Sequence, residues 1–156
     1  MKGQVMPVET LMFLCVSILS SEPMPEKTMS KLSGNCVELA TKAEDYGHDP
    51  LMVIAIGHTE SRFKKNAKSK AGAVGMMQAL PKYYCPKSRH CDYTRAGLLA
   101  WKKWKAVTWK GVPKTKKNAL CGYNSGSHCA KNHRARVYAN VVLGKHRRLK
   151  AIMRKE

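Results

Sequence analysis

Apolar residues in this chain recur at helix-face spacing, and nowhere do they alternate over a run long enough for a confident β-strand. That feature restricts the fold class to all-α, or mostly α. Cys36, Val37, Leu39, Ala40 and Ala43 mark one helical face, which stops at Gly47. Asp49 can cap a second helix that has Pro50 at its first position. Leu51, Val53, Ile54 and Ala55 predict that this second helix is largely buried. Arg62 to Ala73 reads as a polar loop, and Val74 to Leu80 as a short apolar turn of helix ended by Pro81. The spacing predicts further helices over Thr94 to Val107, from about Thr115 after the break at Gly111-Val112-Pro113, and, strongly basic, over 134–154.

With 156 residues, 44% of them hydrophobic, one domain with its own core is expected rather than two. The longest apolar stretch, Leu11 to Leu19, is far short of the ~20 residues a helix needs to cross a bilayer. It has the length of a signal-peptide core, but Glu9 precedes it and no small-residue cleavage pattern follows. A short helix packed on the domain fits as well. Residues 22–34, with Pro23, Pro25 and Gly34, read as a linker. The expected organisation is therefore 1–34 as apolar segment and linker, and 35–156 as the domain.

Charge is unevenly distributed. Residues 1–60 carry four basic and eight acidic side chains, whereas 61–156 carry 25 basic and two acidic, within an overall net charge of +19. Such a field implies a polyanionic partner: nucleic acid, an anionic membrane or a cell-wall polymer. The six cysteines, at 15, 36, 85, 91, 121 and 129, are dense for a reducing compartment and point to an oxidising one. Local pairings Cys85–Cys91 and Cys121–Cys129 are expected, with Cys15 and Cys36 unassigned. His90 and His128 flank two of the cysteines, but no C-x-x-C occurs and the spacings match no usual zinc pattern, so no metal is expected.

The chemistry concentrates around Glu60. It ends the apolar run Leu51-Met52-Val53-Ile54-Ala55-Ile56-Gly57-His58-Thr59-Glu60, where shielding from water raises a carboxyl pKa and suits it to act as a general acid. A lone Glu at a helix end is ordinarily a solvated side chain. This one is followed by Ser61, Phe63, Asn66 and Ala67, then Ser69 and Ala71-Gly72-Ala73-Val74-Gly75-Met76-Met77-Gln78 with Pro81, and later by Gly122-Tyr123-Asn124-Ser125-Gly126. The order resembles the soluble lytic transglycosylases, peptidoglycan-cleaving enzymes with a lysozyme-like fold, over roughly residues 36–150. The resemblance implies Glu60 as catalytic acid/base and Ser61 beside it. It also implies Met77 and Gln78 at the cleft floor, Tyr123 and Asn124 near the carboxyl and the sugar, and Tyr138 as the tyrosine of the last motif. The sequence departs from the family pattern at Met76, Gly122, Ser125 and Gly57-His58-Thr59. The acidic residue often found before the last tyrosine is missing, with Arg134 and Arg136 nearby.

Counting carboxylates supports the same assignment. A glycosidase ordinarily flanks the scissile bond with two carboxyls about 5–9.5 Å apart. After Glu60 only Asp92 and Glu156 remain, and Asp49 caps the far end of the same helix. One acid/base suffices if the substrate supplies its own nucleophile. In the family, the 6-hydroxyl of N-acetylmuramic acid attacks C1 to leave a 1,6-anhydro end, with no cofactor.

Other features have plainer readings. Trp101 and Trp104 read as a core edge rather than a sugar or nucleic-acid platform, and His58 as a wall residue rather than a second base. The leading expectation is a lytic transglycosylase cleaving the MurNAc–GlcNAc β-1,4 bond of peptidoglycan glycan strands. Its basic face would hold an anionic envelope surface, and no specific nucleic acid is expected. The expected state is a monomer unless the chain is part of a virion or secretion apparatus. It would act in the periplasm or cell wall, exported or carried in a phage particle. A hydrolytic muramidase on the same fold, and a non-enzymatic basic module binding nucleic acid or a virion, are the alternatives.

Overall fold

A computed structural model describes residues 5–87 and 90–155. The helices run α1 (Val8–Leu19), α2 (Glu26–Asp45), α3 (Pro50–Ser61), α4 (Pro81–Tyr84), α5 (Tyr93–Ala106), α6 (Lys116–Ser125) and α7 (His133–Arg154), with a 3₁₀ turn at Gly126–Lys131 between the last two. The class is all-α, and the elements from α5 onward begin within a residue or so of their expected positions.

Helix α3 is the centre of the molecule. Every residue from Leu51 to His58 is buried, because α2, α7 and α1 pack against it from different sides. A helix apolar all round is stable in water only when surrounded in this way. Asp49 Oδ1 accepts from the Leu51 N–H at 2.9 Å, and Pro50 holds the first turn. At the other end, Arg62 and Phe63 both adopt left-handed backbone (φ 52° and 63°), so the helix stops immediately after Glu60 and Ser61. The buried Asn35 amide donates to the Phe63 carbonyl at 2.9 Å and holds that reversal against α2.

Two local expectations are corrected. Residues 26–34, read as a linker, are the first turns of α2, with Leu32, Ser33 and Cys36 buried. Pro25 stands just before the helix, where its missing N–H costs nothing, and a Cβ at Gly34 would meet no neighbour. Val74 to Leu80 is not helical. Val74 bridges to Lys68 and to Ala79, and Gly75 and Gln78 have φ of 79° and 54°, outside the right-handed helical region. The apolar run still buries Val74, Met76, Met77 and Ala79. Pro81 opens the short helix α4 rather than ending one.

Leu11, Leu14, Cys15 and Leu19 of α1 are buried against the rest of the domain, and a Cys15–Cys36 disulfide ties α1 to α2. Among the described residues no helix is long and apolar enough to cross a membrane.

Candidate active site

Glu60 lies in the last turn of α3, facing α7. The Tyr138 hydroxyl donates to Glu60 Oε2 at 3.1 Å. Burial pushes the Glu60 carboxyl up to about 7, against the smaller lowering effect of that hydrogen bond. The same burial, with the nearby Glu60 charge, raises both Tyr123 and Tyr138 well above an ordinary phenol. Both phenols therefore stay protonated donors wherever Glu60 titrates.

The loop after α3 is held against the end of that helix and against α6 by side-chain hydrogen bonds. Ser61 Oγ donates to the Met76 carbonyl at 2.7 Å, tying the helix end to the far side of the loop. Gln78 Nε2 donates to the carbonyls of Ala67 (3.0 Å) and Gly75 (2.8 Å). The Tyr123 hydroxyl donates to the Met77 carbonyl at 2.5 Å, which joins the loop to α6. Met77 itself points inward and is fully buried. A Cβ at Gly97 of α5 would come within 2.5 Å of Met77 Cβ, so only glycine allows α5 to approach this closely.

A cleft of about 600 Å³ opens on Tyr123, whose hydroxyl lies within reach of the Glu60 charge. Gln78, Tyr123 and Asn124 line it, together with Tyr83 and Tyr84 of α4, and Lys103 and Trp104 of α5. Glu60, Ser61, Met77 and Tyr138 are not among its lining residues. Glu60 and Tyr138 pair within reach of Tyr123, which lines the cleft, while Ser61 and the Met77 backbone brace the loop. Asn124 is exposed at the rim, its Oδ1 accepting from Ser125 Oγ.

Sequence reasoning missed Tyr83, Tyr84, Lys103 and Trp104 as cleft residues. The available signal was the interleaving of aromatics and lysines along α5. Trp101 is buried and packs edge-to-face on Tyr123 at 6.1 Å. Trp104, at the core edge, tilts against Trp109 at 5.7 Å and presents one side to the cleft. Gly122, an alanine in the family pattern, lies under both rings. A Cβ there would sit 2.5 Å from Trp104 Cε3 and 2.6 Å from Trp109. The departure thus accommodates two tryptophans.

His58 lies on a different wall, among Ser17, Ile18, Lys145 and Arg148 around a cavity of about 80 Å³. Burial first, then the Lys145 charge, lowers its pKa to about 4, so it is neutral where Glu60 titrates. The six cysteines form three disulfides, Cys15–Cys36, Cys85–Cys91 and Cys121–Cys129, and none is left free as a metal ligand. Cys121–Cys129 closes the end of α6 onto the 3₁₀ turn below the Tyr123-Asn124 rim.

The described residues form an all-α domain, the fold class of lysozyme-like domains, with a shielded carboxylic acid beside a residue of an open cleft. Residues 38–92 match the family model described as the Transglycosylase SLT domain. The match runs from within α2 to the cap of α5, about a third of the chain, and contains Glu60, Ser61, Met77 and Gln78. Cleavage of a glycosidic bond in peptidoglycan is the activity that this family carries. No curated protein matches the chain.

Proposed function

We propose that the protein is a peptidoglycan lytic transglycosylase in which Glu60 is both acid and base. The observation that carries this reading is a half-buried carboxyl, pushed up to about 7 and hydrogen-bonded by Tyr138, within reach of Tyr123 of a cleft that has no Asp or Glu among its lining residues. Asp49 lies at the opposite end of α3, about 16 Å away along a 12-residue helix. That exceeds the separation at which a second carboxylate can serve a glycosidase. Asp49 is moreover engaged by His146 Nε2 at 2.7 Å.

Near neutral pH a large fraction of Glu60 holds its proton. It gives that proton to the glycosidic oxygen as the C1–O bond breaks. The resulting carboxylate then takes the proton of the muramyl 6-hydroxyl as O6 bonds to C1, which restores the acid and leaves a 1,6-anhydro end. The attack is intramolecular, so it gains from effective molarity without a bound water. Tyr138 fixes Oε2 and leaves Oε1 to carry the proton. Gln78, Tyr123 and Asn124 would contact the sugars, with Ser61 and Met77 shaping the loop beneath them.

The residues from α2 onward would form the catalytic domain, with α1 packed on it as an accessory segment. The excess of Lys and Arg after residue 60 would hold the enzyme on an anionic envelope surface. Three disulfides suit the oxidising space outside the cytoplasm, reached by export or in a phage particle, and the protein would act there as a monomer. Mass spectrometry of digested glycan strands tests the reaction. Anhydro ends, lighter by one water, are the expected product, and reducing ends would assign a hydrolytic muramidase instead.

A further inference from the structure

Behind the loop that bounds the cleft lies a second groove of about 600 Å³, between the start of α2 and residues 64–67. Its floor is apolar, made by Leu32 and Ala67, with the amide of Asn35 set into it. Lysines 27, 31, 64 and 65 form its rim. Lys27 and Lys31 are one helical turn apart, so their heads lie on the same face of α2. Lys65 pairs with Glu38 at 2.5 Å, while Lys27, Lys31 and Lys64 have no ion pair among the described residues. Lys27 and Lys31 are two of only four basic residues in the net-acidic stretch 1–60, and Lys64 and Lys65 stand at the start of the basic stretch that follows.

The two grooves share a wall. The Phe63 carbonyl accepts from Asn35 on the groove side, and the Ala67 carbonyl accepts from Gln78, which lines the cleft. An occupant of the lysine groove therefore lies against the segment that leads directly from Glu60.

We propose that this lysine-rimmed groove binds the acidic stem peptide of peptidoglycan, making the enzyme selective for peptide-bearing strands. The inference rests on the peptidoglycan reading above. A stem peptide is short, carries alanine methyls that suit an apolar floor, and bears several carboxylates that suit a lysine rim. Four extended residues reach about 13 Å, enough to pass from a muramyl residue in the cleft over a wall one chain thick. A phosphate polymer matches the charge but has no use for the apolar floor.

The test compares glycan strands bearing tetrapeptide stems with the same strands stripped by an amidase, using the unaltered protein and the triple variant K27E/K31E/K64E. Reversing three exposed charges on the rim should lower kcat/KM on peptide-bearing strands about tenfold, leaving stripped strands within twofold. Equal loss on both substrates, or no loss on either, would overturn the groove assignment. Binding of the free tetrapeptide, which needs no cleavage, gives an independent readout and should vanish in the variant. If the unaltered protein cleaves neither strand yet binds the tetrapeptide, the catalytic reading fails and the groove stands. Unchanged tetrapeptide binding in the variant, or tighter binding of a teichoic polymer than of the tetrapeptide, would overturn the groove.

Discussion

The Tyr138 hydroxyl on α7 donates to Glu60 Oε2 at the end of α3, 3.1 Å away and 78 positions apart in the sequence. This bond opposes the burial that raises the Glu60 pKa, so its loss should raise that pKa further above about 7. In Tyr138→Phe the alkaline limb of the pH–rate profile, where Glu60 loses the proton it must donate, should move to higher pH. The rate on the acid side of that limb should fall about tenfold as Oε2 loses its anchor. An unmoved limb in the variant would show that Tyr138 does not act on the carboxyl.

The raised pKa also carries a stability consequence. In the unfolded chain Glu60 ionises near its ordinary 4.5, whereas in the fold it keeps its proton to about 7. Between those values the unfolded state binds fewer protons, so folding stability falls as pH rises and levels off above about 7. Glu60→Gln removes this dependence. The variant should match the parent near pH 4 and exceed it by up to about 3 kcal/mol near pH 8. Denaturant titrations at the two pH values measure the difference, and a gap independent of pH would argue against a shielded carboxyl.

The Cys15–Cys36 disulfide spans 21 positions and joins α1 to α2. Closing a loop of this size stabilises a fold by about 3 kcal/mol through the unfolded chain. The double variant Cys15→Ala/Cys36→Ala should lose roughly that amount in denaturant titration and keep its helical content. Thiol counting on unfolded, unreduced protein should find no reactive cysteine, and two or more would contradict the three pairings.

Gly122 has no room for a side chain beneath Trp104 and Trp109. Gly122→Ala restores the residue of the family pattern, yet here it should destabilise by about 1–3 kcal/mol through overpacking. Because Trp104 and the adjacent Tyr123 line the cleft, kcat/KM should fall as well. A neutral effect on both would mean that the tryptophans move aside freely.

Much of this architecture was legible in the chain. The Asp49 cap with Pro50 located α3, and apolar spacing with the break at Gly111-Val112-Pro113 located the helices from α5 onward, since these signals are local. What failed depended on tertiary neighbours. Pro25, Ser33 and Gly34 read as breakers, but Pro25 sits before the first turn of α2 and Ser33 is buried against the core. Val74 to Leu80 has helical composition, while its bridges and the left-handed Gln78 belong to the loop's closure on Ser61 and Tyr123. The Cys15–Cys36 pair requires that α1 lie on α2, which spacing alone does not encode. For the candidate site, the motifs pointed to Glu60 and to Gln78, Tyr123 and Asn124, which line the cleft, but not to the Tyr138–Glu60 bond, the inward turn of Met77 or the aromatic wall of α4 and α5.

The central claim is that one carboxyl, Glu60, performs both proton transfers. The most direct measurement is the turnover of Glu60→Gln on purified glycan strands, with circular dichroism and melting confirming that the fold is kept. The amide is nearly isosteric but can neither donate the proton to the leaving oxygen nor take one from the 6-hydroxyl. The expected result is a loss of at least ~10²–10⁴-fold, the contribution of a general acid. Activity within tenfold of the parent, in a variant that folds, would contradict a catalytic role for Glu60 and with it the proposed reaction.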